Sequence, residues 1–238
     1  ELRLVEGMEF DKGYVSPYFV TDREKREAIL ENPLILLTDM TINSAQDLLP
    51  CLEMSVQQKR PLLVICKDLE GEALATTILN VASKVVRACA IKAPGFGDEQ
   101  GELLEDLAVL TGGKVLVKDQ SADLKAQGPT SLGEAERIIV SKNKTTLVGG
   151  AGESDAVKSR VEILQGQAKL ATSDWDREKI EKRVGKLTGG VAVLKIGAAT
   201  ETEMKEKKAR VDDALNATRA AMEEGVVAGG GISLLRAR

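Results

Sequence analysis

The chain has 238 residues and not one histidine. That absence removes imidazole general bases, His-containing catalytic triads and His metal sites together. Aromatics are scarce as well, with one tryptophan, two tyrosines and three phenylalanines. The three cysteines, Cys51, Cys66 and Cys89, lie far apart and lack metal-type spacing. Cys66 and Cys89 fall in apolar strand-like runs, which reads as buried free thiols in a reducing compartment. No apolar run approaches the ~18 residues that span a bilayer. Positive charge is not in excess either. The formal net charge is −4, so no bulk field recruits nucleic acid or anionic membrane. The first residues, Glu1-Leu2-Arg3-Leu4-Val5, show neither an initiator Met nor a signal pattern and read as a strand met in mid-course. The last, Leu234-Leu235-Arg236-Ala237-Arg238, stop in an apolar segment without a cap. The expectation is that both ends are cuts in a longer protein.

What remains is ordinary globular material, 43% hydrophobic and 29% charged. Short branched runs at 34–37, 61–66, 85–91 and 114–117 read as strands. Amphipathic stretches at 44–58, 71–84 and 98–110 read as helices between them. This alternation predicts an α/β layer arrangement. Runs at 137–141 and 145–148 flank Asn143-Lys144 and predict a hairpin, and the opening segment to Phe19 reads as irregular or extended. Beyond Gly149-Gly150 the pattern turns helical. Val157, Val161, Leu164 and Ala168 mark one helix over 153–171. Thr172-Ser173-Asp174 caps a second, with Ile180, Val184 and Leu187 on its stripe until Gly189-Gly190. A strand at 191–196 and a long helix over 201–224 complete the order.

Two of these helices are apolar over too wide an arc. At about 100° per residue, Leu74, Ala75, Ile78, Leu79, Val81, Ala82, Val85 and Val86 sweep roughly 160°, whereas a helix lying on one sheet needs a stripe of only about 100°. The helix around Leu49 carries Ala45, Leu49, Leu52 and Val56 on one stripe and Leu48, Cys51 and Met54 on the next, with Pro50 in its second turn. Periodicity alone allows two readings: helices buried on both sides between layers, or an open groove that accepts foreign apolar segments.

Several runs resemble the group I chaperonins, the GroEL-type family. They include Val5-Glu6-Gly7-Met8, Asp11-Lys12-Gly13-Tyr14, Ser16-Pro17-Tyr18-Phe19, Glu70-Gly71-Glu72-Ala73-Leu74-Ala75-Thr76 and Lys92-Ala93-Pro94-Gly95-Phe96-Gly97-Asp98. Gly197-Ala198-Ala199-Thr200-Glu201, Glu206-Lys207-Lys208-Ala209-Arg210-Val211 and Glu223-Glu224-Gly225-Val226-Val227-Ala228-Gly229-Gly230-Gly231 follow in family order. The resemblance implies an intermediate-domain strand and hinge at 1–7 and an apical, substrate-binding domain of sheet layers flanked by helices at 8–189. It further implies a partial helical intermediate domain at 190–224 and the start of a truncated equatorial domain at 225–238.

The implied activity is the binding of non-native polypeptide and of a co-chaperonin lid, within an ATP-driven ring of homologous subunits. The polypeptide-binding positions are then Tyr14, Tyr18, Phe19, Leu49, Leu52, Leu74, Ile78 and Leu79, all expected to stand in the groove. Gly7, Gly189 and Gly190 become a two-strand hinge. Asp213 is similar to the carboxylate that positions the attacking water in ATP hydrolysis, and Gly230 to a nucleotide contact. Both depend on a longer protein that would hold ATP and Mg²⁺; no metal site, cofactor or meaningful ATPase activity is expected of this chain alone. From the helix pattern alone, a charged helix surface is expected for both Asp212 and Asp213. The implied compartment is the bacterial cytoplasm or an organelle interior, plastid stroma or mitochondrial matrix, and not the secretory route.

The sequence departs from the family pattern at Val81-Ala82-Ser83-Lys84, where an Arg-Gly pair is common, at Glu99-Gln100-Gly101-Glu102, in place of a basic stretch, and at Lys67. Two rival readings stay open: an enzyme on the α/β scaffold, disfavoured by the missing histidine and phosphate motifs, and a ring component that binds no client.

Overall fold

The computed structural model describes residues 1–118 and 123–237; Arg238, part of the terminal segment read above, lies outside them. The chain divides into two compact units, one of Leu4–Ala192 and one of Glu1–Arg3 with Val193–Arg238. In chain order the elements begin with β1 (Leu2–Val5), β2 (Gly7–Phe10), β3 (Ala28–Glu31), β4 (Leu34–Thr38), β5 (Thr41–Ile42) and α1 (Ala45–Gln58). Next come β6 (Leu62–Cys66), β7 (Asp68–Leu69), α2 (Gly71–Ala82), β8 (Ala88–Lys92), α3 (Asp98–Thr111) and β9 (Val115–Leu116). The order closes with α4 (Leu124–Gln127), β10 (Gly133–Val140), β11 (Thr145–Gly150), α5 (Ser154–Leu170), α6 (Asp174–Gly189), β12 (Val191–Leu194), α7 (Glu201–Glu224) and α8 (Ile232–Arg236).

The larger unit is mixed α/β, as the alternation predicts. Strands β4, β6 and β8 run parallel, with Leu34 opposite Leu62 and Leu62 opposite Ala88. Every residue of β4 and β6 is buried. Sequences this uniformly apolar demand cover on both faces of the sheet. Helices α1 and α2 follow successive parallel strands and α3 returns from β8 to β9 beside β4; the right-handed rule for such crossovers puts the first two on one face and α3 on the other. The sheet continues through β10, β11 and β2 as antiparallel neighbours.

Three details differ from the sequence reading. The opening segment is regular in part, because Met8 and Phe10 turn inward while Glu9 turns out, a two-residue period too short to stand out in a sequence. Strand β3 pairs with β10 and escapes notice for the same reason. The strand expected from Val85 starts at Ala88 instead. The amides of Val85 and Val86 both donate to the Asn80 carbonyl, at 3.0 and 3.3 Å, so these residues close the turn that follows α2 rather than begin β8.

The helical pair falls where predicted. Val157, Leu164 and Ala168 of α5 and Leu187 of α6 are buried, with Val161, Ile180 and Val184 packed beside them. Cys51, Cys66 and Cys89 are all buried and unpaired. Burial pushes the Cys51 and Cys66 thiols up to about 12 and raises Cys89 as well.

The smaller unit is dominated by α7. Thr200 caps it, its hydroxyl accepting from the Glu203 amide at 3.2 Å while the Glu203 carboxylate accepts from the Ala199 amide. The charged run at its start is internally paired: Lys205 with Glu201, Lys207 with Glu203 and Arg210 with Glu206, each four residues apart. Among the described residues no helix is long and apolar enough to cross a membrane.

Candidate functional site

Helix α1 begins after Ser44 and ends at Lys59, whose left-handed φ of 55° reverses the chain. Pro50 lies within it and the helix runs on unbroken. Leu48, Cys51, Leu52 and Ser55 form its buried face. Leu49 and Val56 flank that face and leave 48% and 45% of their surface open.

Helix α2 buries Ala73 and Thr77, the Thr77 hydroxyl being satisfied by the Ala73 carbonyl at 2.7 Å. Leu74, Ile78 and Val81 are half-buried against the core. Around the same helix Ala75, Leu79 and Ala82 are exposed, Leu79 by 67%. The apolar arc is thus wider than the core uses, and its surplus faces water. Val85, 59% exposed, extends it past the helix end. Helices α1 and α2 pack against each other, and the short 3₁₀ turn Pro17–Phe19 packs against α2.

The eight expected polypeptide-binding positions separate into three groups. Tyr18 at 70%, Leu49 and Leu79 stand open; Tyr14, Leu74 and Ile78 are half-buried. Phe19 and Leu52, expected in the groove, are instead sealed at 0% and 5%. Consecutive side chains of a 3₁₀ turn point about 120° apart, so Tyr18 faces outward as Phe19 plugs the core beneath it. Leu52 lies nearer the centre of the buried face of α1 than Leu49 does, and shares it with Leu48. Val56 and Val85, which lie on the apolar stripes but outside the eight expected binding positions, belong to the exposed set as well. Val56 is seven residues from Leu49, and the heptad spacing puts the two on one stripe.

Gly7 and Gly190 have a static reason to be glycine. A Cβ on Gly7 would collide with the Leu147 carbonyl oxygen and lie 2.8 Å from Val191 Cγ2. Gly190 has φ of +62°, and its Cβ would lie 2.6 Å from the Val5 carbonyl oxygen. Gly189 ends α6 with free space around it.

Asp213 is exposed, as the helix pattern expects, while Asp212 is half-buried. Gly229-Gly230-Gly231 form an open turn, and a Cβ at any of them would meet nothing within 4 Å. Among the described residues there is no group of three His, Cys, Asp or Glu side chains able to hold a metal ion.

The stretch at 99–102 does find a use. Glu102 accepts from Arg183 Nη1 at 2.6 Å. At Lys67 the exposed cation leaves Asp68 to pair with Lys92 at 2.7 Å, a bond that raises the Lys92 pKa. Lys84 occupies a left-handed conformation, φ 59°.

Compared with protein families, the sequence matches the TCP-1/cpn60 chaperonin family across residues 1–238, its whole length.

Proposed function

The chain belongs to the TCP-1/cpn60 chaperonin family, and from that premise we propose that the face carrying Leu49, Val56, Leu79, Val85 and Tyr18 is where it holds a client. Family membership carries a role in protein folding, with unfolded polypeptide as substrate and an oligomeric working form. The finer reading is a group I, GroEL-type subunit, with 8–189 as the apical domain, 190–224 as part of the intermediate domain and 225–238 as the start of the equatorial domain.

One observation carries this reading. Leu49 and Leu79, on neighbouring helices over the same face of the sheet, leave 48% and 67% of their surface in water. Folding gains nothing from keeping them there. Each client leucine buried on such a face contributes roughly 1.5–3 kcal/mol before ordering costs, and a ring of copies multiplies weak contacts. Leu74, Ile78 and Tyr14, half-buried, form the floor. Phe19 and Leu52 support it from below and do not touch the client. A co-chaperonin lid competes for the same face, and apolar contact without sequence-specific hydrogen bonding accounts for a broad client range.

ATP and Mg²⁺ enter this reading only as ligands of a longer protein, to which Asp213 and Gly230 contribute in part. Gly7, Gly189 and Gly190 serve as the hinge in that protein. The bacterial cytoplasm or an organelle interior suits three reduced, buried thiols.

The test is suppression of aggregation of a chemically unfolded protein. Leu49→Glu with Leu79→Glu replaces two exposed side chains, so the fold survives; the reading expects suppression to vanish. Undiminished suppression by the folded double variant would refute it.

A further inference from the structure

Two arginines from different helices close on one buried carboxylate. The Asp106 side chain of α3 is fully shielded from solvent. Arg183 of α6 donates through Nε to Asp106 Oδ2 at 2.8 Å and through Nη2 to Oδ1 at 3.0 Å. Arg160 of α5 donates through Nε to the same Oδ1 at 2.8 Å. Glu102 and Glu105, one turn apart on α3, take the outer nitrogens of Arg183 and Arg160 at 2.6 and 3.0 Å. Both helices of the hairpin thus meet α3 at a single anion, and α6 packs in addition against β2.

Such a network is a poor source of net stability, because three charges leave water to form it. It is a strong source of conditional attachment, since losing the carboxylate strands two cations at the seam. The apolar contribution there is modest. Val157, Leu164, Ala168 and Leu187 are buried, but Ile163, Leu170 and Trp175 of the hairpin leave 54%, 83% and 63% in solvent. Beside the network an open surface cleft of about 370 Å³ lies between α3 and α6, lined by Leu103, Glu99 and the lysines of α6.

The parallel strands do not need the hairpin for cover, because α1, α2 and α3 already shield β4, β6 and β8. The chain is fixed up to the start of α5, with the Ala151 amide on the Glu134 carbonyl at 3.1 Å and the Gly152 amide on the Leu110 carbonyl at 3.0 Å. Past α6 it reaches Gly190, whose φ of +62° only glycine adopts without strain.

We infer that α5 and α6 form a latched unit that opens as a whole, with Asp106 as the catch and the client-binding layers staying folded when it is released. The latch governs how firmly the chain leading to β12 is tied to α3. It lies on the opposite face of the sheet from α1 and α2, so its opening leaves the apolar face in place.

Hydrogen exchange on the whole chain, read by mass spectrometry after proteolysis, tests this. Asp106→Asn keeps the shape and removes the charge. The latch predicts that amides of 154–189 exchange faster by on the order of a hundredfold, while those of β4, β6 and β8 change by less than about threefold. An equal increase in both regions would show that Asp106 serves global stability only, and an unchanged hairpin would show that it holds nothing. Should Asp106→Asn fail to fold, Arg183→Lys, which keeps the charge and loses the two-pronged bond, is read by the same two outcomes. Aggregation suppression by the variant is expected to match the parent chain, and its loss would contradict the independence of the two faces.

Discussion

Leu49 and Leu52 stand three residues apart on α1, yet the first leaves 48% of its surface open and the second 5%. Side by side they separate what holds the domain together from what it offers to others. Leu52→Ala is expected to cost about 2–5 kcal/mol by denaturant unfolding, the usual range for a buried leucine. Leu49→Ala is expected within about 0.5 kcal/mol of the parent, because its methyls are half in water already. Client capture should respond in the opposite order once each variant is corrected for its folded fraction.

Lys84 ends the turn after α2 with φ 59°, a conformation that costs a side-chain-bearing residue about 1 kcal/mol. Lys84→Gly relieves that strain, and the added freedom of glycine in the unfolded chain offsets part of the gain. A net stabilisation of up to about 1 kcal/mol is expected, seen as a higher urea midpoint at unchanged slope.

The buried thiols predict an alkaline weakness. Burial raises Cys51 and Cys66 from 9.0 to about 12, so between these values the unfolded chain loses protons that the folded chain keeps. Stability is therefore fully present below about pH 9 and falls as pH rises toward 12, by up to about 1.4 kcal/mol per pH unit for each thiol. Unfolding midpoints across pH 8 to 11 check this, with Cys66→Ala expected to flatten the decline. Thiol reagents at pH 8 should label the native chain only as fast as it unfolds.

Much of this was legible in the sequence, for reasons that individual residues make plain. The apolar arc through Leu74, Ile78 and Leu79 exceeded what one sheet can bury, and the excess is what lies in solvent. The helices α1, α5, α6 and α7 declared themselves through stripes several turns long. The short β2 and β3 did not, since four residues carry too little period to be told from loop. Phe19 and Leu52 were misplaced because family motifs and heptad spacing name a neighbourhood, whereas burial turns on a single residue step. Arg183 and Asp106 were invisible for a different reason: they lie 77 positions apart, and only the docking of α6 on α3 brings them within 2.8 Å.

The most direct measurement of the central claim is the binding of an extended, fluorescently labelled apolar peptide, followed by anisotropy against increasing chain concentration. The account predicts saturable binding, weakened at least tenfold by Leu49→Glu with Leu79→Glu, since tenfold needs only about 1.4 kcal/mol. Equal affinity for the parent chain and the folded double variant would contradict it.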